Sequence, residues 1–135
     1  MIRVAMTGVY VDDVARAHAF YTDVLGFETR HHVVPGGGEP FVTVGTAGGG
    51  RNDAELLLEP GDGPIAEPYR KAQYEAGIPC IVFGVDDVRA EHERLVGLGV
   101  RFAQGPEEQG PVITAVLDDS VGNLVQLMQG LPSGD

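Results

Sequence analysis

The stretch Val11-Asp12-Asp13-Val14 recurs 74 residues later as Val85-Asp86-Asp87-Val88. Each copy follows a run of β-forming residues and precedes apolar residues at helical spacing, so an aspartate of each copy is expected to cap a helix. Each predicted helix ends at a Leu-Gly pair, Leu25-Gly26 and Leu98-Gly99, and glycine suits the C-terminal cap. The shared order of strand end, cap and helix stop indicates an internal repeat.

Apolar periodicity around these landmarks predicts the same five elements in each copy. The first copy is expected to hold a helix that starts at Val14 and strands over residues 3–11, 27–34, 40–45 and 54–59. The second is expected to hold a helix that starts at Val88 and strands over residues 80–85, 100–103, 111–117 and 123–128. A helical stretch over residues 65–76 joins them, and residues 45–53 and 104–111 are expected to be loops.

These elements predict an α+β fold of two tandem βαβββ modules in a single domain over residues 1–135. The first module covers about residues 1–62, a connector about 63–78, and the second module about 79–131. Each module would form one curved sheet with a helix on its outer side. The other face of the sheet would then form a cup for a small ligand.

Charge and composition exclude several classes of partner. The net charge is −11 with only nine Lys plus Arg, which disfavours nucleic acids and anionic membranes because both require a basic surface. No apolar stretch is long enough for a membrane span, and the first residues lack an export signal, so a cytoplasmic protein is expected. The single cysteine, Cys80, excludes an internal disulfide and a cysteine-based zinc site.

Two further motifs carry a resemblance to a known family. They are Phe20-Tyr21-Thr22-Asp23-Val24-Leu25-Gly26-Phe27, after the first aspartate pair, and Asp118-Asp119-Ser120-Val121-Gly122-Asn123-Leu124, near the end. With them the chain resembles, over nearly its whole length, the vicinal oxygen chelate superfamily of glyoxalase I, bleomycin and fosfomycin resistance proteins and extradiol dioxygenases. The resemblance implies a small-molecule ligand and a homodimer in which modules of two chains complete the cups.

The resemblance also implies a metal ion held by one side chain from each of four strands. The matching positions in this chain are Met6, Glu55, Cys80 and Gln126. This set offers no imidazole and one hard anion, so it suits zinc, nickel, magnesium and iron(II) poorly. We therefore expect no tightly held catalytic metal, and a divalent metal bound through this non-standard set is the alternative.

Strand alternation predicts which side chains face the cup. Val9 and Val11 would face the helix layer, which leaves Met6 and Tyr10 on the cupped face. By the same reasoning, and from aromatic residues suited to stacking on a flat ligand, the predicted ligand-binding residues are Met6, Tyr10, Phe41, Leu57, Cys80, Gln126 and Met128.

Two residues on the cupped face are candidates for chemistry. Glu55 is the predicted catalytic residue, as a general base whose pKa is raised by a partly apolar cup; a Glu55 that is solvated or hydrogen-bonded to Gln126 is weighed equally. Cys80 as a thiolate nucleophile is less favoured than Cys80 as a buried, inert thiol, because no neighbouring base is evident.

The four histidines lie in two kinds of element. His31 and His32 fall in the second predicted strand, and one of them faces the cup if that strand is regular. His18 and His92 fall on the two predicted helices beside charged neighbours, and they are expected to face solvent.

The function predicted from the sequence is binding of a small molecule, without the usual catalytic metal, by a protein that resembles the drug-sequestering resistance proteins. The acidic charge would favour neutral or cationic ligands. The alternative is a metal-dependent glyoxalase-like lyase or dioxygenase that uses Glu55. A third possibility is a structural or regulatory dimer whose cup is vestigial.

Overall fold

The structure is a computed structural model that describes residues 1–36, 38, 40–50 and 52–130. The elements in chain order are β1 (Met6–Val11), α1 (Val14–Ala19, continued by a π-helical turn over Phe20–Val24), β2 (Glu28–Val33), β3 (Phe41–Gly45), β4 (Glu55–Pro60), α2 (Ala66–Glu75), β5 (Ile81–Gly84), α3 (Val88–Gly97), β6 (Phe102–Gln109), β7 (Val112–Asp118) and β8 (Leu124–Gly130). Over the described residues, no helix is long and apolar enough to cross a membrane.

The chain divides into two compact units, Met1–Arg70 and Lys71–Asp135, and each is described by itself. The division falls inside the predicted connector, within α2. In the first unit the strand order is β1-β4-β3-β2, with β1 parallel to β4 and the other pairs antiparallel. In the second it is β5-β8-β7-β6, again with one parallel pair, β5 and β8. The two βαβββ modules predicted from the repeat are confirmed.

One helix covers one face of each sheet. Helix α1 packs against β3 and β4, and α3 packs against β6, β7 and β8. Apolar residues that alternate along the strands fill the layer beneath α1, where burying each valine or leucine contributes about 1.5–3 kcal/mol. In the first unit these buried residues are Val9, Val11, Val42, Val44, Leu56 and Leu58. The opposite face of each sheet is the one against which α1 or α3 does not pack, and it is called here the open face.

The repeated aspartates cap the helices as predicted. The Asp13 carboxylate accepts a hydrogen bond from the Arg16 backbone N–H at 3.0 Å, and the Asp87 carboxylate accepts one from that of Ala90 at 3.0 Å. After the helices, Gly26 and Gly99 have φ angles of 91° and 88°. Only glycine adopts this left-handed conformation at little cost, which explains both Leu-Gly stops.

The closing motif forms a turn around a buried carboxylate. Asp119 is fully buried and accepts hydrogen bonds from the backbone N–H groups of Val121 at 3.0 Å and Asn123 at 2.9 Å, and from the Asn123 side-chain amide at 3.1 Å. The turn also needs positive φ angles at Ser120 and Gly122. This network fixes the direction in which β8 begins. The motif therefore serves the fold and not a reaction.

The prediction of a short strand over residues 100–103 followed by a loop over 104–111 was wrong. Strand β6 continues from Phe102 to Gln109. Gly105 and Pro106 suggested a loop, but β6 lies at the edge of its sheet, and the pairing with β7 shifts register between Gln104 and Glu107. A proline at such an irregularity on an edge strand removes no ladder hydrogen bond, so the strand passes through it.

His18 and His92, which were expected to face solvent, are half-buried. His18 Nε2 lies 2.7 Å from Thr29 Oγ1, and its ring centroid is 4.9 Å from that of His32. Burial, reinforced by His32, lowers the pKa of His18. His92 packs its ring against Phe102 with centroids 4.5 Å apart. Each histidine thus packs against the edge strand of its own sheet, His18 against β2 and His92 against β6.

Candidate functional site

The open face of the first sheet is built by alternate residues of three strands. They are Met6, Gly8 and Tyr10 of β1, Glu55, Leu57 and Glu59 of β4, and Phe41, Thr43 and Gly45 of β3. Met6 is 42% exposed and Tyr10 is 38% exposed, whereas Val9 and Val11, which point to the other side of β1, are buried. The predicted side of the sheet is therefore correct for these residues, and their role in ligand binding stays a prediction.

One row of side chains crosses the middle of this face. Gly8 pairs with Leu57, Leu57 with Thr43, and Thr43 with His31. Gly8 has no side chain, and a Cβ placed there would clash with a carboxylate oxygen of Glu59. The glycine thus leaves room for the Glu59 carboxylate to lie over the sheet.

Two residues of this row, Thr43 and His31, form a hydrogen-bond network with Glu55. Oε1 of Glu55 accepts a hydrogen bond from Thr43 Oγ1 at 2.7 Å and lies 2.8 Å from His31 Nδ1. His31 Nδ1 is also 3.0 Å from Thr43 Oγ1. Thr43 is fully buried, and the Glu55 side chain is 22% exposed. Sequence reasoning missed Thr43, because the sequence does not distinguish a threonine that takes part in a site from one that only packs in a strand.

This network corrects the prediction made for Glu55. Hydrogen bonding from Thr43, with a smaller contribution from His31, lowers the pKa of Glu55 instead of raising it, although partial burial acts in the opposite sense. A carboxylate held in its ionised form is a weak base near neutral pH. The carboxylate of Glu55 is thus held in its ionised form by Thr43 and His31, and a hydrogen bond between Glu55 and Gln126 stays a prediction.

A β-bulge decides which histidine reaches the open face. Thr29 pairs with Val44 and His31 with Thr43, so Arg30 is an extra residue in β2. A bulge of this kind opposes two residues to one and turns both to the same side of the sheet. Thr29 and His32 consequently turn toward α1, where both meet His18. Of the two predicted candidates, His31 is the one on the open face.

The extra residue, Arg30, is held by its neighbours. Its guanidinium donates to Glu28 Oε2 at 2.8 Å and to the Thr46 carbonyl at 2.6 Å. A Cβ at Gly45 would lie 2.6 Å from Arg30 Nε, so Arg30 lies over the space that Gly45 leaves on the open face. Hydrogen bonds from Arg30 and from the Gly48 N–H lower the pKa of Glu28.

The open face of the second sheet carries Val82 and Gly84 of β5, and Gln126 and Met128 of β8. Gln126 is level with Val82 and Met128 with Gly84. The N–H of Cys80, just before β5, donates to the Leu124 carbonyl at 2.9 Å, and the first paired residue of β5, Ile81, is level with Val125. Met6 and Glu55 are level in the first sheet.

Cys80 is not set up as a nucleophile. Burial, with a further contribution from the charge of Asp119, raises the pKa of the Cys80 thiol to about 12. The thiol is therefore protonated near neutral pH and unreactive, because the thiolate is the nucleophilic form. This supports the inert thiol that the sequence favoured.

Thr114 of β7 takes the place in the second sheet that Thr43 takes in the first. Thr114 pairs with Met128, two residues after Gln126, just as Thr43 pairs with Leu57, two residues after Glu55. Its hydroxyl accepts a hydrogen bond from the Gln104 side-chain amide at 3.1 Å. The corresponding network of the second sheet is thus neutral.

The donor groups at the four family positions do not fit a hard divalent cation. Met6 offers a thioether, Cys80 a protonated thiol and Gln126 a neutral amide. Glu55 is the one carboxylate, and its Oε1 already takes two hydrogen bonds. Across the part of the chain that the structure describes, no group of three or more His, Cys, Asp or Glu side chains is arranged to hold a metal ion.

A pocket of about 250 Å³ lies elsewhere in the first unit, at the carboxyl ends of β1 and β4. Asp12, Asp13 and Asp62 are among its lining residues, and none of the predicted ligand-binding residues lines it. Asp13 is committed to capping α1, and Asp12 lies 3.8 Å from Arg16. The pocket is therefore separate from the open-face network.

Comparison with solved structures identifies proteins similar to this one over nearly their whole length. UcmS2 aligns with a TM-score of 0.81 and 30% sequence identity, covering 96% of this chain and 99% of UcmS2. TnmS3, an antibiotic binding protein from Streptomyces sp. CB03234, aligns with a TM-score of 0.73 and 25% identity, covering 96% of this chain and 97% of TnmS3.

Sequence comparison gives the family. The uncharacterized protein YurT of Bacillus subtilis (strain 168) is 38% identical over 128 residues, which cover 95% of this chain and 99% of YurT. The model of the Glyoxalase/Bleomycin resistance protein/Dioxygenase superfamily matches residues 3–127. The duplicated βαβββ fold and these matches agree, and the chain belongs to the Glyoxalase/Bleomycin resistance protein/Dioxygenase superfamily.

Proposed function

We propose that this protein binds a small organic molecule on the open faces of its sheets and does so without a catalytic divalent metal. The observation that carries the proposal is the state of Glu55. The one carboxylate at a family metal position is held by Thr43 and His31, and its companions are a thioether, a protonated thiol and an amide. Such a surface suits recognition of an organic ligand better than Lewis-acid chemistry.

The similarity to TnmS3 supports the same proposal. TnmS3 is an antibiotic binding protein, and it aligns with this chain over almost the whole of both. Exposed apolar side chains on the open faces, including Met6, Tyr10, Phe41 and Met128, offer area for an apolar ligand. The net charge of −11 favours neutral or cationic ligands over anions.

Metal analysis tests the metal-free part of the proposal. Protein purified without chelators and dialysed against zinc, nickel, manganese or iron(II) is expected to retain far less than one metal ion per chain. Stoichiometric retention of any of these metals would contradict the proposal and favour the lyase or dioxygenase alternative. Glu55→Gln is the matched variant, because it removes the single anionic donor and would abolish a genuine site.

A thermal-shift screen with aromatic antibiotics and related flat compounds tests the binding part. A ligand present at 100 times its Kd stabilises the folded state by about 2.7 kcal/mol, which raises Tm by several degrees. Met6→Glu is expected to abolish the ligand-induced shift. Val96→Glu introduces the same charge at an equally exposed apolar residue of α3, and it should keep the shift. No shift with any compound would favour a vestigial open face.

We also propose that the protein is a homodimer, as the resemblance to its family implies. Sedimentation equilibrium is expected to give twice the mass of the chain at micromolar concentration. A monomer mass under the conditions in which a ligand binds would show that one chain suffices for binding.

A further inference from the structure

The groups that the first open face presents to a ligand are mainly hydrogen-bond acceptors. Among the described residues, Glu55 Oε2 has no protein hydrogen-bond partner, because Thr43 and His31 both engage Oε1. The Glu59 carboxylate lies over Gly8 on the same face. The guanidinium of Arg30 is engaged by Glu28 and by the Thr46 carbonyl.

The network also fixes the proton of His31. An ionised carboxylate only accepts hydrogen bonds, so a neutral His31 whose Nδ1 lies 2.8 Å from Glu55 Oε1 must carry its proton on Nδ1. Its Nε2 then has a lone pair and acts as an acceptor. The His31 side chain is 52% exposed, and no described residue is a partner of Nε2, so the lone pair is accessible.

An aromatic surface adjoins this acceptor. The ring centroid of Phe41 lies 6.1 Å from that of His31, with the planes tilted by 53°. Phe41 is part of the open face and is itself partly exposed. A flat ligand lying against Phe41 therefore reaches His31 with a polar group at its edge.

We propose, given the function proposed above, that His31 determines specificity: its Nε2, oriented by Glu55 and Thr43, accepts a hydrogen bond from a phenolic hydroxyl of an aromatic ligand. The ligand class is thus neutral or cationic aromatic molecules with a free hydroxyl donor. Glu55 and Thr43 act as positioning residues. The fold itself does not require this arrangement, since at the matching place in the second sheet Thr114 meets the amide of Gln104.

The tautomer can be measured without any ligand. Long-range ¹H–¹⁵N correlation spectra at pH 8 are expected to show His31 with the proton on Nδ1. Glu55→Leu removes the acceptor of the Nδ1 proton, so the share of His31 that carries its proton on Nε2 is expected to rise. A wild-type His31 that carries its proton on Nε2, or a tautomer ratio unchanged in Glu55→Leu, would overturn the proposal.

A matched pair of probes tests the specificity itself. The wild-type protein is expected to bind 2-naphthol about fivefold more tightly than 2-methoxynaphthalene, the fold-change of one ordinary net hydrogen bond. His31→Phe keeps a ring, so it should bind both probes with equal affinity. His32→Phe changes the neighbouring histidine on the helix side and should keep the fivefold preference.

The outcomes separate this inference from the proposed function. Equal affinity of the wild-type protein for both probes would overturn the role of His31 and leave small-molecule binding intact. An undiminished preference in His31→Phe would do the same. Failure of both probes to bind, while other compounds in the thermal-shift screen do bind, would refute the phenolic ligand class alone; failure of every compound would refute the proposed function.

Discussion

In the first sheet the buried Thr43 donates a hydrogen bond to a carboxylate, whereas in the second sheet Thr114 accepts a hydrogen bond from an amide. The two threonines occupy the same place relative to Glu55 and Gln126. The backbone has therefore been kept, and the charge of the open face has changed. A duplicated scaffold of this kind carries an acidic network on one sheet and a neutral network on the other.

The helix side has diverged far less. Asp13 and Asp87 cap their helices at the same distance, and Gly26 and Gly99 end them with nearly the same φ angle. These positions stabilise the modules, because the aspartates satisfy backbone N–H groups at the helix starts and the glycines adopt the turn that ends each helix. The comparison separates residues that maintain the modules from residues that specialise them.

The largest expected effect concerns the turns that lead into β4 and β8. Asp119→Ala removes a buried acceptor of three hydrogen bonds, so it should lower the free energy of unfolding by about 3 kcal/mol. Asp53→Ala, in the turn before β4, removes one exposed hydrogen bond to the Gly50 N–H and should cost about 0.5 kcal/mol. Urea denaturation measures both, and equal losses would contradict the buried role of Asp119.

An intermediate effect is expected at the caps. Asp13→Ala and Asp87→Ala each remove one capping hydrogen bond, so each should lower the free energy of unfolding by about 1 kcal/mol. Asp13→Asn and Asp87→Asn keep a capping oxygen and serve as controls that should recover most of the loss. If urea denaturation gave markedly different losses of unfolding free energy for the two alanine variants, the two caps would differ in energy in spite of their equal geometry.

The smallest effect depends on pH. Thr43→Val removes the main cause of the lowered pKa of Glu55, so that pKa should rise toward its ordinary value of 4.5. Because the folded pKa of Glu55 lies below the unfolded one, its stabilisation is present above about pH 4.5 and is lost as the pH falls through the folded value. Thr43→Val should therefore lose stability relative to the wild type at pH 7 more than at pH 3.

Thr114→Val is the control for this last experiment, because Thr114 contacts no carboxylate in its network. Carbon-13 NMR titration of the side-chain carboxyl groups should show the pKa of Glu55 unchanged in Thr114→Val and raised in Thr43→Val. A Glu55 pKa that is the same in both variants would show that Thr43 does not hold the carboxylate in its ionised form.

Most of the fold could be predicted from the sequence because its determinants are local. The repeated aspartates, the Leu-Gly stops and the alternation around Val9 and Val11 each report on a few neighbouring residues. The extension of β6 could not be predicted, because an edge strand tolerates Pro106 only through a register shift with β7. Such a shift depends on the partner strand and leaves no local pattern.

The candidate site was less predictable for the same reason. Alternation gave the correct side of the sheet for Met6 and Tyr10, but the direction of the Glu55 pKa shift depends on Thr43 and His31, which lie 12 and 24 residues away. The choice between His31 and His32 depends on a bulge. Nothing in the sequence of β2 shows that Arg30 is the unpaired residue.

That bulge gives the protein a position free to vary. Because Thr29 and His31 hold the pairing with β3, the residue between them contributes its side chain to the open face without contributing to the register. Exchange of Arg30 for another residue would remove its contacts with Glu28 and Thr46 and alter the charge of the open face, and the pairing of β2 with β3 would stay in place. A surface of this kind can change its selectivity through one residue, because the pairing of the strands beneath it does not depend on that residue.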